Sequence, residues 1–249
     1  MGRTKTSRSQ RSEALKVEGL PAPVEIRRHP TARRMTLRVS RTKHAVIMTV
    51  PLQCNLVDAG NFLHSHLDWV RRHLGAVPQP VSLECGEVVP FRGRPHRIVF
   101  NGERGADYTV RAEEASGTAT PRLVVAGTRE GAARRLANWL SQQAAKDLDA
   151  RVQFHAARLG VKPKQIVLRD QSSRWGSCST TRVLSFSWRL ILAPPSVLDY
   201  VAAHEVAHLA QMNHGPKFWA LVAKTMPQMD QARAWLRVFG MDLHRYQRP

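Results

Sequence analysis

Three histidines and one glutamate near the end of the chain have the residue types and the spacing of a hydrolytic metal site. Residues 204–208 read His-Glu-Val-Ala-His, and His214 follows six residues later. On a helix, positions i and i+4 share a face, so His204 and His208 can direct two imidazole nitrogens at one ion. Glu205 lies beside that face, where a carboxylate can take a proton from a water that the metal activates. The pattern predicts one zinc ion per chain, with His214 as the third ligand and Glu205 as the general base.

The helix that carries this motif must end soon after His208 if His214 is to reach the same ion. Residues 213–216 read Asn-His-Gly-Pro, a cluster of turn-forming residues that predicts the required reversal. The prolines at 194–195 indicate where the helix begins, and the apolar residues after them predict that it is buried. The same five-residue pattern occurs by chance in ordinary helices, but the third histidine and the turn favour a metal site.

The remaining sequence predicts an α+β protein with the metal helix in its C-terminal part. Residues 128–240 are predicted to form the metallohydrolase domain, with a long helix, a small sheet, the metal helix and two further helices. Residues 23–127 contain short strands between glycine-rich turns and one helix, which predicts a β-rich N-terminal subdomain. Residues 1–22 are predicted to form a disordered basic tail, and residues 241–249 a C-terminal tail. No internal repeat is recognisable.

Three segments carry motifs that are more specific in combination than the histidine pattern alone. The first reads Arg-Trp-Gly-Ser-Cys-Ser from Arg174, and the second reads Trp-Arg-Leu-Ile-Leu-Ala-Pro from Trp188. The third runs from Tyr200 through the motif histidines to Trp219. Together they resemble the YgjP-like metal-dependent hydrolases, a branch of the gluzincin-like proteases related to the SprT-like group. The resemblance extends from residue 24 to residue 240.

This resemblance implies a zincin-like catalytic domain, built from a small sheet, the HExxH helix and C-terminal helices. It also implies that His204, His208 and His214 bind zinc and that Glu205 is the general base. Members of the group are mainly predicted metallopeptidases, so hydrolysis of peptide bonds is the expected activity. The ligand spacing is shared with metzincins, but Gln211 stands where those proteins carry glycine.

Four further residues are candidates for contact with substrate or for support of the metal site. Tyr200 lies one helical turn before His204 on the ligand face, although a packing role explains it equally well. Arg174 and Ser177 lie in a glycine-containing loop, where an arginine could bind a carboxylate or an oxyanion, unless the loop is only a structural turn. Ser187 stands where similar proteins tend to carry asparagine, which makes it a candidate for a difference in specificity.

The segment before the metal helix is the candidate for holding an extended substrate. Its polar residues alternate with Leu184, Phe186, Trp188 and Leu190. This alternation predicts a strand over residues 183–190. In zincins, which the chain resembles, substrate pairs with an edge strand ahead of the metal helix. Residues 183–189 are predicted to be that edge, and pairing through the backbone would give little sequence specificity.

The composition limits the partners and the compartment. Of the 249 residues, 43% are hydrophobic, and no run approaches the ~20 apolar residues of a membrane span. The basic N-terminus contains no apolar stretch of the kind found in secretory signals. The odd number of scattered cysteines favours a reducing compartment, so a cytoplasmic location is predicted. These cysteines are Cys54, Cys85 and Cys178.

The formal net charge of +19 is compatible with binding to nucleic acid. Much of the excess lies in the first 50 residues, which contain no Phe, Trp or Tyr on which bases could stack. Nucleic-acid binding is therefore less favoured than a peptide or protein substrate. The sequence predicts no membrane partner and specifies no oligomeric state.

Two other functions are compatible with the same residues. One is a zinc hydrolase of a non-peptide substrate such as a phosphoester, for which Arg174, Arg189 and Lys217 could supply cationic groups. The other is a DNA-associated protease of the SprT-like kind, localised by the basic N-terminal half. A binding protein with a structural zinc is disfavoured, because three histidines leave a coordination position open beside Glu205.

Overall fold

The computed structural model describes residues 12–40, 45–75, 79–102, 106–115, 119–171 and 174–248. The chain divides into two compact units, Met1–Gln79 and Pro80–Pro249. This division lies well before residue 127, where the sequence predicts a domain boundary. The reason is that the strands between these two positions share one hydrophobic core with the helices of the metal site.

The first unit contains a four-stranded sheet. Its strands are β1 (Ser12–Leu15), β2 (Val24–His29), β3 (Thr36–Ser40) and β4 (Ala45–Pro51). The strand order is β1-β2-β4-β3, in which the parallel pair β2/β4 lies between two antiparallel pairs. Strand β1 belongs to the segment predicted as a disordered tail, and it is extended because β2 offers it backbone hydrogen-bonding partners. Residues 1–11 of that predicted tail lie outside the described residues.

The one helix predicted for the N-terminal subdomain corresponds to two helices, α1 (Leu56–His64) and α2 (Leu67–Gly75). Asn55 caps α1, because its side chain accepts a backbone N–H of the first turn at 2.7 Å. At the other end, the hydroxyl of Ser65 donates to a carbonyl one turn earlier at 2.9 Å. A hydroxyl that bonds back to the helix backbone competes with its continuation, which explains the break.

The second unit begins with another four-stranded sheet. Its strands are β5 (Val88–Phe91), β6 (Arg94–Phe100), β7 (Val110–Glu113) and β8 (Arg122–Val125). The strand order is β5-β6-β8-β7, again with one parallel pair between two antiparallel pairs. The long helix α3 (Ala132–Leu159) follows and ends at Gly160, whose φ of +65° is the left-handed conformation that glycine adopts readily.

A three-stranded sheet precedes the metal helix. Its strands are β9 (Gln165–Arg169), β10 (Gly176–Cys178) and β11 (Val183–Ser187). Strand β11 lies in the centre, parallel to β9 and antiparallel to β10. The prediction that residues 183–189 form an edge strand was therefore wrong, and β10 is an edge strand instead. Strand β11 also ends early, because the Oγ of Ser187 accepts the N–H of Arg189 and begins a 3₁₀ helix, Trp188–Leu192.

Three helices and a short 3₁₀ helix complete the second unit. They are α4 (Pro195–Ala207), α5 (Pro216–Thr225), α6 (Met229–Phe239) and the 3₁₀ helix Gly240–Arg245. Helix α4 is buried on almost every side, and its small residues Ala202 and Ala203 have no exposed surface. None of the helices in the described ranges is long and apolar enough to cross a bilayer.

The segment predicted as a C-terminal tail packs onto the second unit. Leu243 and His244 are buried, and Tyr246 forms a β-bridge with Val81. The His244 ring stacks on the indole of Trp175, with 4.7 Å between ring centroids and an interplanar angle of 26°. The end of the chain therefore supports the loop that precedes β10.

Candidate metal centre

The three histidines predicted as ligands come together at one point. The ligand atoms of His204, His208 and His214 all lie within 4.8 Å of one another. The Nε2 atoms of His204 and His214 are 3.0 Å apart. Ligand nitrogens about 2.0–2.1 Å from a tetrahedral ion lie roughly 3.3 Å from each other, so this spacing fits a shared ion. Within the described residues, no other group of three or more His, Cys, Asp or Glu side chains has this arrangement.

The reversal of the chain after α4 brings the third histidine back to the first two. Helix α4 ends at His208, whose Nδ1 lies 3.2 Å from the carbonyl oxygen of Gln211. Helix α5 then begins at Pro216, two residues after His214, and places Phe218 against the three imidazoles. The Phe218 ring is fully buried, with its centroid 4.5–4.8 Å from those of all three histidines. This ring fixes the imidazoles in position by packing.

Burial favours the neutral form of two of the three histidines, and neutral imidazole is the form that binds metal. Burial lowers the pKa of His204 to about 4, and the charges of His208, His214 and Arg233 lower it further. Burial also lowers the pKa of His208, although a hydrogen bond to the carbonyl of Gln211 raises it. The Nδ1 of His204 is buried and has no hydrogen-bond partner among the described residues. The three imidazoles form a donor set of nitrogen atoms, which suits zinc and also nickel, cobalt and iron.

Glu205 lies between the histidines and strand β10. Its side chain is buried, and burial raises its pKa to about 8, while the charge of Arg174 lowers it. The backbone of Gly176 passes directly against this carboxyl, since a Cβ at that position would lie 2.6 Å from Cγ and Oε1 of Glu205. Only glycine allows the edge strand and the carboxyl to approach so closely. This contact explains the glycine in the Arg-Trp-Gly-Ser motif.

A cleft of about 390 Å³ opens beside Glu205 and His204. Of the residues predicted on the substrate side, Tyr200 and Arg174 line it. Tyr200 is also buried, so it both packs and faces the cleft, with its ring 5.9 Å from that of His204. The sequence did not identify Arg233 and Arg237, which lie one turn apart on α6 and line the same cleft. Their i, i+4 spacing in the sequence indicates that they share one face of a helix, but it does not show which part of the protein that face contacts.

Other candidates lie away from the cleft. Ser187 has no exposed surface and caps the 3₁₀ helix, and Ser177 pairs with Ser185 inside the sheet without lining the cleft. Arg189 is buried, pairs with Asp170 and donates to the carbonyl of Tyr246 at 2.9 Å. Lys217 is exposed at the start of α5 and does not line the cleft. Arg189 is thus committed to internal contacts and cannot serve an anionic substrate.

Metal-dependent hydrolases are the class of proteins to which this fold and this cleft correspond. The chain belongs to the YgjP-like family, since the family described as "YgjP-like, metallopeptidase domain" matches residues 33–239. The resemblance seen in the sequence motifs is thereby confirmed. The protein is therefore a metal-dependent peptidase, and peptides are the substrates that its family implies.

One solved structure was found to be similar. It is the crystal structure of the metallopeptidase zymogen of Pyrococcus abyssi abylysin. The similarity covers 37% of this chain and 92% of that chain, with 18% sequence identity and a TM-score of 0.34. No curated protein matches the chain.

Proposed function

We propose that the protein is a zinc metallopeptidase, with one zinc ion held by His204, His208 and His214 and with Glu205 as the general base. The observation that carries this proposal is the convergence of three imidazoles beside a buried carboxyl. Three protein ligands leave a coordination position open, which distinguishes catalytic zinc sites from closed structural ones. Zinc is proposed ahead of the other metals because tetrahedral sites with nitrogen ligands suit it best.

Glu205 performs the proton transfers in the proposed mechanism. When bound, the metal ion polarises the carbonyl of the scissile bond and lowers the pKa of water. Glu205 takes a proton from the attacking water, whose oxygen bonds to the carbonyl carbon, and gives a proton to the nitrogen as the C–N bond breaks. Burial, which raises the pKa of Glu205 to about 8, favours the second of these steps, the donation of a proton to the nitrogen. Gly176 keeps the carboxyl in place from the opposite side.

The edge strand β10 is the proposed platform for an extended peptide. Trp175 accepts the N–H of Ser187, and Ser179 donates to the carbonyl of Val183, so these residues direct their backbone groups towards β11. Bonding residues alternate along a strand, so Gly176 and Cys178 direct theirs to the outer edge. A peptide that pairs with these two residues would pass directly beside Glu205.

The proposal is tested by cleavage of a labelled, unfolded protein by the zinc-loaded enzyme. Glu205→Gln is expected to lower kcat at least 100-fold while about one zinc per chain remains, because general bases contribute roughly 10²–10⁴-fold. Glu84→Gln, which changes an exposed glutamate in the same unit, is the matched control and should retain activity. Full activity of Glu205→Gln, or no cleavage by a wild type that carries zinc, would contradict the proposal.

A phosphoester hydrolase is the second candidate, and one observation favours it. Arg174, Arg233 and Arg237 line the cleft, and arginine binds phosphate as readily as carboxylate. Hydrolysis of p-nitrophenyl phosphate or of its diester, with no cleavage of peptides, would favour this candidate. Loss of that activity in Glu205→Gln would assign it to the same centre.

We also propose a cytoplasmic location. The support is that all three cysteines, Cys54, Cys85 and Cys178, are free thiols, which persist best in a reducing compartment. Fractionation of cells that produce the protein tests this, and recovery outside the cytoplasm would contradict it.

A further inference from the structure

The cleft beside the metal centre is lined by arginines without acidic partners. Arg174, Arg233 and Arg237 share it with His204 and Glu205. Glu205 is the only acidic residue among the described ones that line the cleft, and its carboxyl has the role of general base. The lining therefore has an excess of positive charge, to which a divalent metal ion would add. A ligand that fits this cleft must bring negative charge.

Several arginines of the second unit bind a carboxylate of the chain itself, as in Arg92–Asp147, Arg151–Asp199 and Arg189–Asp170. Within the described ranges, Arg174, Arg233 and Arg237 form no ion pair and donate no hydrogen bond. Even Asp230, one turn before Arg233 on α6, does not pair with it. Their guanidinium groups are thus available to an external anion.

These arginines come from two elements that line the cleft beside the metal centre. Arg233 and Arg237 lie one turn apart on α6, so they project from one face of that helix. The guanidinium of Arg233 lies 4.6 Å above the ring of Trp219, and that ring is 5.9 Å from the ring of His214. Arg174 comes from the loop before β10 and lines the same cleft as Glu205 and His204. An anion bound in this cleft would lie close to the bond that is cleaved.

We propose that Arg174, Arg233 and Arg237 form a carboxylate subsite, which selects peptides with an acidic side chain or a free C-terminal carboxylate beside the scissile bond. This inference rests on the proposed peptidase function. Guanidinium groups bind carboxylates through paired, charge-assisted hydrogen bonds, which are stronger than hydrogen bonds between neutral groups. The outer edge of β10 offers hydrogen bonds to the backbone of any peptide, whatever its sequence. The arginines add a preference for a peptide that carries a carboxylate.

The first experiment measures the preference of the wild-type enzyme. A labelled, unfolded protein is digested with the zinc-loaded full chain, and the cleaved bonds are located by mass spectrometry. Short peptides that span one cleaved bond are then made in matched versions, with glutamate or glutamine beside the bond and with a free or an amidated C-terminus. Because a hydrogen bond to a charged group contributes about 1.5–3 kcal/mol, kcat/KM should be roughly 10- to 100-fold higher for the preferred carboxylate. The glutamate pair and the C-terminal pair distinguish the two sources.

The second experiment assigns the preference to the arginines. Arg174→Gln, Arg233→Gln and Arg237→Gln should each reduce the ratio between the charged and the neutral peptide, and the triple variant should bring it close to one. Arg134→Gln, which alters an exposed arginine on α3, is the matched control and should keep the full ratio. Arg237→Glu should shift the preference towards a peptide with lysine at the same position. Binding of the same labelled peptides to the Glu205→Gln protein, followed by fluorescence anisotropy, should show the same pattern without turnover.

The outcomes separate this inference from the function on which it rests. Peptides that are cleaved at equal rates with and without a carboxylate would overturn the carboxylate subsite and leave the peptidase intact. A preference that persists in the triple variant would also overturn it. Hydrolysis of phosphoesters without cleavage of any peptide would overturn both.

Discussion

The two four-stranded sheets share one topology but belong to different cores. The orders β1-β2-β4-β3 and β5-β6-β8-β7 show the same sequence of antiparallel, parallel and antiparallel pairs. In the first unit, Ile26 and Met48 belong to a cluster that the sheet shares with α1 and α2. In the second, Ile98 and Leu123 belong to a cluster that also contains the buried residues of α3 and α4.

This difference shows that the same arrangement of strands has two uses in one chain. The second sheet is part of the packing that holds α4, and therefore His204 and His208, in place. Because protein interiors are close-packed and transmit strain, a cavity in the second sheet should reach the metal centre. A cavity in the first sheet should be confined to the first unit. Each of the following predictions compares a change in one unit with a matched change in the other.

The largest difference between the two units is expected in the zinc content of the protein after a histidine of each unit is replaced. His214→Ala should reduce the zinc content from about one ion per chain to nearly none, because only two imidazole ligands remain. Loss of a contact that supports a ligand lowers metal affinity by up to roughly 100-fold, and loss of the ligand itself should lower it at least as much. The measurement is elemental mass spectrometry after dialysis against a weak chelator. His64→Ala removes an exposed histidine of the first unit and should retain the zinc. Full zinc in His214→Ala would mean that another residue provides the third ligand.

The sheets themselves are compared by Ile26→Ala in β2 and Ile98→Ala in β6. Both isoleucines are buried on the second strand of their sheet, so each truncation should cost about 2–5 kcal/mol. Ile98→Ala should accelerate hydrogen exchange in α3 and α4 and weaken zinc binding, because its cavity opens in their core. Ile26→Ala should accelerate exchange only within the first unit. Equal effects of both variants on α4 would contradict the separation of the two cores.

Local spacing in the sequence accounts for the parts of the site that were predicted. The meeting of His204 and His208 depends on one helical turn, and the return of His214 depends on a short cluster of turn residues. Both are properties of neighbouring residues, and so are the cap at Asn55 and the end of α3 at Gly160. The YgjP-like family followed from motifs of the same short range.

The parts that were missed depend on contacts between distant segments. Alternating residues identify β11 as a strand, but its central place depends on β9 and β10, which local patterns do not pair. Arg189 reads as a surface cation until Asp170 and the C-terminal segment enclose it. In the sequence, Arg237 resembles any polar residue of an amphipathic helix. Only the packing of α6 shows that Arg237 lines the cleft. The shared topology of the two sheets is likewise absent from the sequence, since no repeat accompanies it.

A smaller difference between the two units is expected in the pH dependence of stability, where each unit has one histidine that stacks on a tryptophan. His244 in the second unit is buried on Trp175, while His73 in the first unit is exposed on Trp69 at 4.1 Å between centroids. Burial, helped by the charge of Arg189, lowers the pKa of His244 from 6.5 to about 4. Between these values the unfolded chain binds a proton that the folded protein does not, so the free energy of unfolding falls as the pH falls. The contribution of neutral His244 to the free energy of unfolding is complete above pH 6.5 and is lost as the pH falls towards 4.

This pH dependence is measured by urea unfolding between pH 7 and pH 4. His244→Phe keeps an aromatic ring on Trp175 and removes the titration, so wild type should lose up to roughly 3 kcal/mol more than this variant on acidification. Comparison of the two proteins cancels the release of metal in acid. His73→Phe in the first unit should retain the wild-type acid response. An identical response in wild type and His244→Phe would show that His244 is not held neutral by burial.

The smallest difference is expected at the beginnings of α1 and α4. The side chain of Asn55 accepts a backbone N–H of α1, whereas α4 follows Pro194 without a side-chain cap and depends on burial along its length. Asn55→Ala should therefore cost about 1 kcal/mol of the stability of the first unit, as measured by hydrogen exchange in α1. Ser196→Ala, at an exposed position in the first turn of α4, should change stability by less than about 0.5 kcal/mol. A larger cost at Ser196 than at Asn55 would mean that α4 also depends on its first turn, and that its buried face alone does not hold the ligands in place.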